Sequence, residues 1–256
     1  MAAGEEKVDI EIRALTQTAD LLEAVRLQKI IWGFADLDLL PPRMFVVANK
    51  VGGQVFSAFD GQKMVGFCLA IPGLKPGGKY YLHSHMAGVL EEYRNCGIGR
   101  KLKLAQRNDA LARGIDLVEW TFDPLEIKNS HFNIERLGAI VRRFVPNQYG
   151  MSSSPLHGGL PTDRCVAEWW IASPRVRAIV EEKRRPFCQY EARIEVPQEI
   201  GELKQSDRNR AREIQARIRE QFEDHFSKGL EVGGYEITPQ AGAFLLGRIE
   251  TADERR

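Results

Sequence analysis

The sequence predicts an α/β chain of the α+β kind: a mixed, mostly antiparallel sheet flanked by helices. Three observations predict it. Val8, Ile10 and Ile12 alternate with Asp9, Glu11 and Arg13, the pattern of a half-buried strand. Asp60-Gly61 separates two apolar runs, 55–59 and 64–71, as a hairpin turn does. Ile98, Leu102, Ala105 and Ala112 recur at helical spacing between two strand-like runs, 80–89 and 117–122, so a helix interrupts two neighbouring strands.

The other elements follow in chain order. Thr18 or Asp20 can cap a helix that carries Leu21, Leu22, Val25 and Ile30 and stops near Gly33. Pro41-Pro42 opens a helix over 43–50, stopped by Gly52-Gly53. Residues 72–79, rich in glycine and proline, read as a loop. Residues 129–137 read as a short helix, 139–145 and 165–171 as strands, and 146–164 as a long Gly/Ser/Pro loop of the kind that is usually functional or mobile. Ala211, Ile214, Ile218, Phe222 and Phe226 mark an amphipathic helix over 206–226, and 241–249 is expected as a final strand.

The chain has 256 residues, enough for one large domain or a domain with an appendage. Its charges nearly cancel, 36 basic against 35 acidic, which argues against a nucleic-acid partner. The N-terminal segment is acidic and lacks an apolar core, and no run approaches membrane length, so a cytoplasmic protein with no membrane partner is expected. Cys68, Cys96, Cys165 and Cys188 show no Cys-x-x-Cys spacing, so neither a metal site nor a disulfide framework is expected.

The most informative stretch is 83–100. A strand carrying His83 and His85 runs into Arg94-Asn95-Cys96-Gly97-Ile98-Gly99 and then a helix. Gly97 and Gly99 allow a tight turn and close approach of a ligand to backbone. The first N–H groups of the helix point into that loop, where the helix dipole favours an anion. A pyrophosphate suits the arrangement, and so does a plain glycine turn before a surface helix. A dinucleotide fingerprint is absent, because Arg100 to Lys103 offer no third glycine, and Gly99-Arg100-Lys101-Leu102 is not a P-loop.

Arg94-x-x-Gly97-x-Gly99, preceded by Glu91-Glu92-Tyr93, resembles the acyl-CoA loop of the GCN5-related N-acetyltransferase (GNAT) superfamily. Asn129 to Asn133 and Leu137-Gly138 resemble a later block of that family, with Ala139 where phenylalanine is usual. The resemblance covers roughly 8–171. It implies a GNAT-like catalytic core over 8–172 and a C-terminal extension, 173–256, packed on it as one structural unit. It also implies acetyl-CoA or another short acyl-CoA as co-substrate. Val89, Leu90, Arg94, Asn95, Gly97, Ile98, Gly99 and Arg100 would bind it, with Asn129 reaching the pantetheine arm or else capping its helix.

Acyl transfer to an amine needs a base, an oxyanion stabiliser and, for some enzymes, an acid for the thiolate. His83 and His85 lie two apart on a strand and face the same way, as bases or as packed side chains. Arylalkylamine N-acetyltransferases carry a His-x-His pair whose second histidine lies nine residues before the loop arginine, as His85 does before Arg94. That match implies that the pair takes the amine proton. Glu119 is a further catalytic candidate, or a solvated strand residue, and Glu168 a candidate for the substrate ammonium. Arg142, Arg143 and Arg164 are solvated charges or a clamp for a substrate carboxylate. Ile134 stands where many members have a tyrosine as the acid, so either the thiolate leaves unassisted or another donor such as Tyr93 or Tyr149 serves, neither supported by spacing. The resulting expectation is a cytoplasmic CoA-dependent N-acyltransferase for a small amine or amino acid, with no metal and with a homodimer left open. The alternative is a noncatalytic acyl-CoA-binding or regulatory module.

Overall fold

The computed structural model describes residues 9–150 and 158–249; Val8 of the first predicted strand and the middle of the 146–164 loop lie outside them. The chain divides into two compact units, 1–114 and 115–256.

The first unit contains strands β1 (Ile10–Ala14), β2 (Gln54–Asp60), β3 (Lys63–Leu74) and β4 (Tyr80–Val89) and helices α1 (Thr18–Trp32), α2 (Pro42–Lys50) and α3 (Ile98–Ala112). The strands pair antiparallel in the order β1-β2-β3-β4. Alternation sends successive β3 residues to opposite faces. Phe67 meets Phe45 of α2 and Trp32 of α1 on one side, while Cys68 Sγ lies 3.9 Å from the Leu102 carbonyl of α3 on the other. Helices therefore cover both faces, and the core around Leu27, Phe45, Val65, Phe67 and Leu102 lies between the layers.

Two local expectations change. Gln17, not Thr18 or Asp20, is the N-cap of α1, and it makes no side-chain capping bond. Strand β3 continues through Pro72 to Leu74. Its pairing with β2 ends at Ala70, so Pro72 has one neighbouring strand and needs no N–H on the other side.

The second unit contains β5 (Leu117–Phe122), β6 (Ile140–Val145), β7 (Arg164–Trp170), β8 (Ala192–Pro197), β9 (Glu231–Ile237) and β10 (Ala241–Gly247). Its helices are α4 (Ile127–His131), α5 (Pro174–Val180), α6 (Ile200–Ser206) and α7 (Arg208–Ser227). The strands run β5-β7-β6-β9-β10-β8, antiparallel throughout. Helix α4 continues into a π-helical turn, Phe132–Arg136, closed by Leu137 N–H donating to Phe132 O and ended at Gly138 with φ 82°.

The C-terminal segment is richer in strand than the sequence suggested: β8, β9 and β10 extend the sheet. The buried face of α7, with Ala211, Ile214, Ile218 and Phe222, is the predicted one, while Phe226 is half-buried. Phe222 stacks on Phe144 of β6 at 5.2 Å and meets Phe244 of β10 edge-on at 5.0 Å. Arg219 donates to both carboxylate oxygens of fully buried Asp163, and Gln215 donates to Pro161 O, which fastens the end of the long loop to α7. Among the described residues no helix is long and apolar enough to cross a membrane.

Candidate active site

In the first unit the site grows from β4. Leu82 and Ser84 are buried, while His83 is half-buried and His85 exposed, so the histidines share the face opposite Ser84 as alternation predicts. Their rings lie 6.0 Å apart at 42°. The pairing with β3 passes from Ala70↔Ser84 to Leu69↔Met86, which leaves His85 as the extra residue of a β-bulge. A bulge re-aims the side chain it carries. Although His85 keeps solvent contact, the surrounding protein desolvates the imidazole and lowers its pKa.

At its C-terminal end β4 passes into the loop. Leu90 is buried and its N–H donates to Val65 O at 2.9 Å. A 3₁₀ turn, Glu91–Tyr93, follows, and Arg94 Nε reaches back toward Val89 O at 3.4 Å. Asn95 (φ 64°) and Gly97 (φ 76°) both take the left-handed conformation, and Gly97 is the N-cap of α3. Ile98 and Leu102 are buried and anchor the first turns of α3. A helix leaves its first N–H groups without intrahelical acceptors and carries partial positive charge there. A Cβ built on Gly97 meets nothing within 4 Å, so this side of the loop is open. Val89, Leu90, Arg94, Asn95, Gly97, Ile98, Gly99 and Arg100 are thus gathered where the histidine strand ends.

Behind the histidines lies a network that the sequence did not signal. Lys103 of α3 is buried and donates to Ser84 Oγ at 2.7 Å, and Ser84 donates to Gln106 Oε1 at 3.0 Å. Burial lowers the Lys103 pKa to about 7 and pushes the neighbouring Cys68 thiol up to about 12.

In the second unit Glu119 of β5 lies opposite Glu168 of β7 in the antiparallel register. Both are buried, so neither is the solvated strand residue that the sequence allowed. Arg143 of β6 donates to Glu119 Oε1 at 2.7 Å and to Glu168 Oε1 at 3.4 Å. Arg142 pairs with Glu231 at 3.2 Å. Arg142 and Arg143, two of the arginines considered for a substrate carboxylate, thus already hold carboxylates of the protein, while buried Arg164 donates to Asp163 O at 2.8 Å.

Asn129 lies within α4, whose N-cap is Glu126, so it is no capping residue; it is exposed, with Asn133 Nδ2 at 3.5 Å. Asp123 accepts from Leu125 N–H at 2.8 Å and also holds the buried Lys204 ammonium at 3.2 Å. Ile134 is fully buried. Tyr93 is occupied by Asp60 at 2.7 Å, which raises its pKa, and Tyr149 shares a 2.8 Å hydrogen bond with Thr121.

Residues 21–138 match the family model for GNAT-family acetyltransferases. The chain carries a domain of the GNAT acetyltransferase superfamily. That match spans the histidine strand, the Arg94–Gly99 loop and the Leu137-Gly138 end of the later block. Solved GNAT structures share the fold. The Salmonella typhimurium protein yncA, determined with its cofactor acetyl-CoA, is 16% identical at a TM-score of 0.52, covering 63% of this chain and 94% of its own. Arabidopsis thaliana NAA60, in complex with a bisubstrate analogue, is 15% identical at 0.51, covering 63% and 97%. A GNAT-family acetyltransferase from Streptococcus pneumoniae is 18% identical at 0.50, covering 62% and 98%. No curated protein matches the chain. The sequence alone does not show that Arg143 meets Glu119 and Glu168, because only pairing between strands brings them together.

Proposed function

We propose that this GNAT protein is a CoA-dependent N-acyltransferase that moves an acetyl or other short acyl group to the amine of a small molecule or amino acid. The observation that carries the reading is the β4–loop–α3 unit, in which two adjacent imidazoles stand on the strand that ends in the left-handed Gly97 turn. Val89, Leu90, Arg94, Asn95, Gly97, Ile98, Gly99 and Arg100 would hold acyl-CoA, with its pyrophosphate on the N–H groups at the start of α3 and on Arg94. Asn129 would contact the pantetheine arm. The open side of Gly97 and the uncapped start of α3 fit such a group.

His85 is the proposed base. Desolvation keeps its imidazole neutral to lower pH, the form that accepts a proton from the acceptor ammonium. His83 would orient it or relay the proton through water. Glu119 is the third catalytic candidate. The Glu119 and Glu168 carboxylates brought together in the second unit suit a cationic amine better than a carboxylate. On this reading the protein would act in the cytoplasm without membrane, nucleic acid or metal, as a monomer or a homodimer.

Fully buried Ile134 supplies no acid at the usual tyrosine position, which favours one second reading: a noncatalytic acyl-CoA-binding or regulatory module. A panel of amines and amino acids with acetyl-CoA and succinyl-CoA, followed by thiol release, separates the two. Release with one acceptor class is the expected result. Acyl-CoA binding without release supports the module, and neither binding nor release overturns both.

A further inference from the structure

The β6 strand carries an irregularity that decides which of two arginines meets the buried carboxylates. Its pairing with β7 runs Ile140↔Glu168, Val141↔Ala167, then Arg143↔Val166, so Arg142 is the extra residue. Cross-strand partners share a face, and Val166 and Glu168 alternate onto the same one. The bulge therefore brings Arg143 to the Glu168 face and leaves Arg142 to Glu231. Without it, regular alternation would bring Arg142 there.

Glu119 and Glu168 lie directly opposite one another and are both buried. Like charges in that position repel, and an uncompensated buried charge is costly. A single guanidinium spans both, Nη2 on Glu119 Oε1 at 2.7 Å and Nε on Glu168 Oε1 at 3.4 Å. A planar fork can do this; a lysine ammonium is a point charge on a flexible stem. The two carboxylates in turn hold Arg143 charged against its partial burial.

We propose that Arg143 is a positioning residue: it clamps Glu119 against Glu168 and fixes the Glu119 carboxylate for work on the acceptor amine. The proposal rests on the N-acyltransferase reading for the use to which Glu119 is put, but the clamp itself does not need turnover to be seen. Because the Arg143 side chain is half-exposed, a small guanidinium from solution can enter the place it would vacate.

The test uses the full chain with Arg143→Ala, Arg143→Lys and Glu119→Gln/Arg143→Ala, and ethylguanidinium as the probe. Arg143→Ala is expected to lower kcat by about 10²-fold, the scale of loss when a catalytic group is misplaced by an ångström, with KM for acyl-CoA unchanged. Ethylguanidinium should restore part of kcat saturably. In an NMR titration it should bind Arg143→Ala, but neither the wild type nor the Glu119→Gln double variant. Arg143→Lys should remain impaired, and it carries the kinetic test if the alanine variant fails to fold. Wild-type kcat in either single variant overturns the proposal, as does an impaired Arg143→Ala that neither binds ethylguanidinium nor is rescued by it. Should the wild type transfer no acyl group while ethylguanidinium still binds Arg143→Ala through Glu119, the acyltransferase reading falls and the clamp stands.

Discussion

The Lys103 ammonium lies 2.7 Å from Ser84 Oγ, and Ser84 stands between His83 and His85 on β4. A buried amine of α3 is thereby fastened to the strand that presents both imidazoles, on the opposite face. Cys68 lies in the same layer, and Gln106 accepts from Ser84. Desolvation, opposed by Cys68, lowers the Lys103 pKa from 10.5 to about 7.

A pH dependence of stability follows from that shift. Between pH 7 and 10.5 the unfolded chain carries a proton on Lys103 that the folded chain lacks, so unfolding takes up a proton and stability rises with pH. Below about pH 7 both states are protonated and this contribution is flat. Thermal denaturation from pH 7 to 9 should show Tm climbing in the wild type and a shallower climb in Lys103→Met. Parallel curves would remove the buried lysine as the cause.

His85→Ala should lower turnover by about 10²–10⁴-fold, the usual worth of a general base, with acyl-CoA binding kept. In the wild type, the rate should rise with pH through a midpoint below the ordinary histidine value of 6.5, because the lowered pKa keeps the imidazole neutral in more acid solution. Single-turnover rates against pH give the midpoint. Full activity in His83→Ala/His85→Ala would pass the base role to Glu119.

Gly97 tests the loop. A side chain there has room but must adopt φ 76°, which costs an ordinary residue about 1–2 kcal/mol. Gly97→Val should lower Tm modestly and weaken CoA binding by calorimetry. Gly99→Glu places a carboxylate at the start of α3, and CoA affinity equal to wild type in that folded variant would move the pyrophosphate elsewhere.

The C-terminal helix gives the fourth prediction. Ile218 is buried in the face of α7 that also carries Phe222. Ile218→Ala should cost about 2–5 kcal/mol, the range for cutting a large core side chain to alanine. Denaturant titration measures it, and an unchanged midpoint would mean that the α7 face contributes little to the fold.

Much of the fold was legible because local pattern and tertiary role agree. Strands β4 and β5 fall at the predicted bounds, since their alternation or apolar run is bounded by turn residues. The Arg94–Gly99 turn was legible for the same reason: the left-handed Gly97 that starts α3 is a property of the chain itself. The C-terminal segment was less so. Strand β9 contains Gly233-Gly234, which weakens any strand signal. A Cβ on Gly233 would meet the Ile249 side chain and one on Gly234 the Tyr190 ring, so those side chains would have to shift. In β8, Ile194 and Val196 alternate with Arg193 and Glu195, a local strand signal of the usual kind.

The sequence by itself determined the strand–loop–helix unit, the histidine pair on one face and the apolar stripe of α7, because each is set by spacing along a single segment. Only the tertiary structure decided which charges meet. Strand register placed Glu119 opposite Glu168, a bulge chose Arg143 over Arg142, and packing of α3 buried Lys103 beneath Ser84. Such contacts join residues far apart in the chain, and their energies depend on burial and distance, which no local pattern encodes.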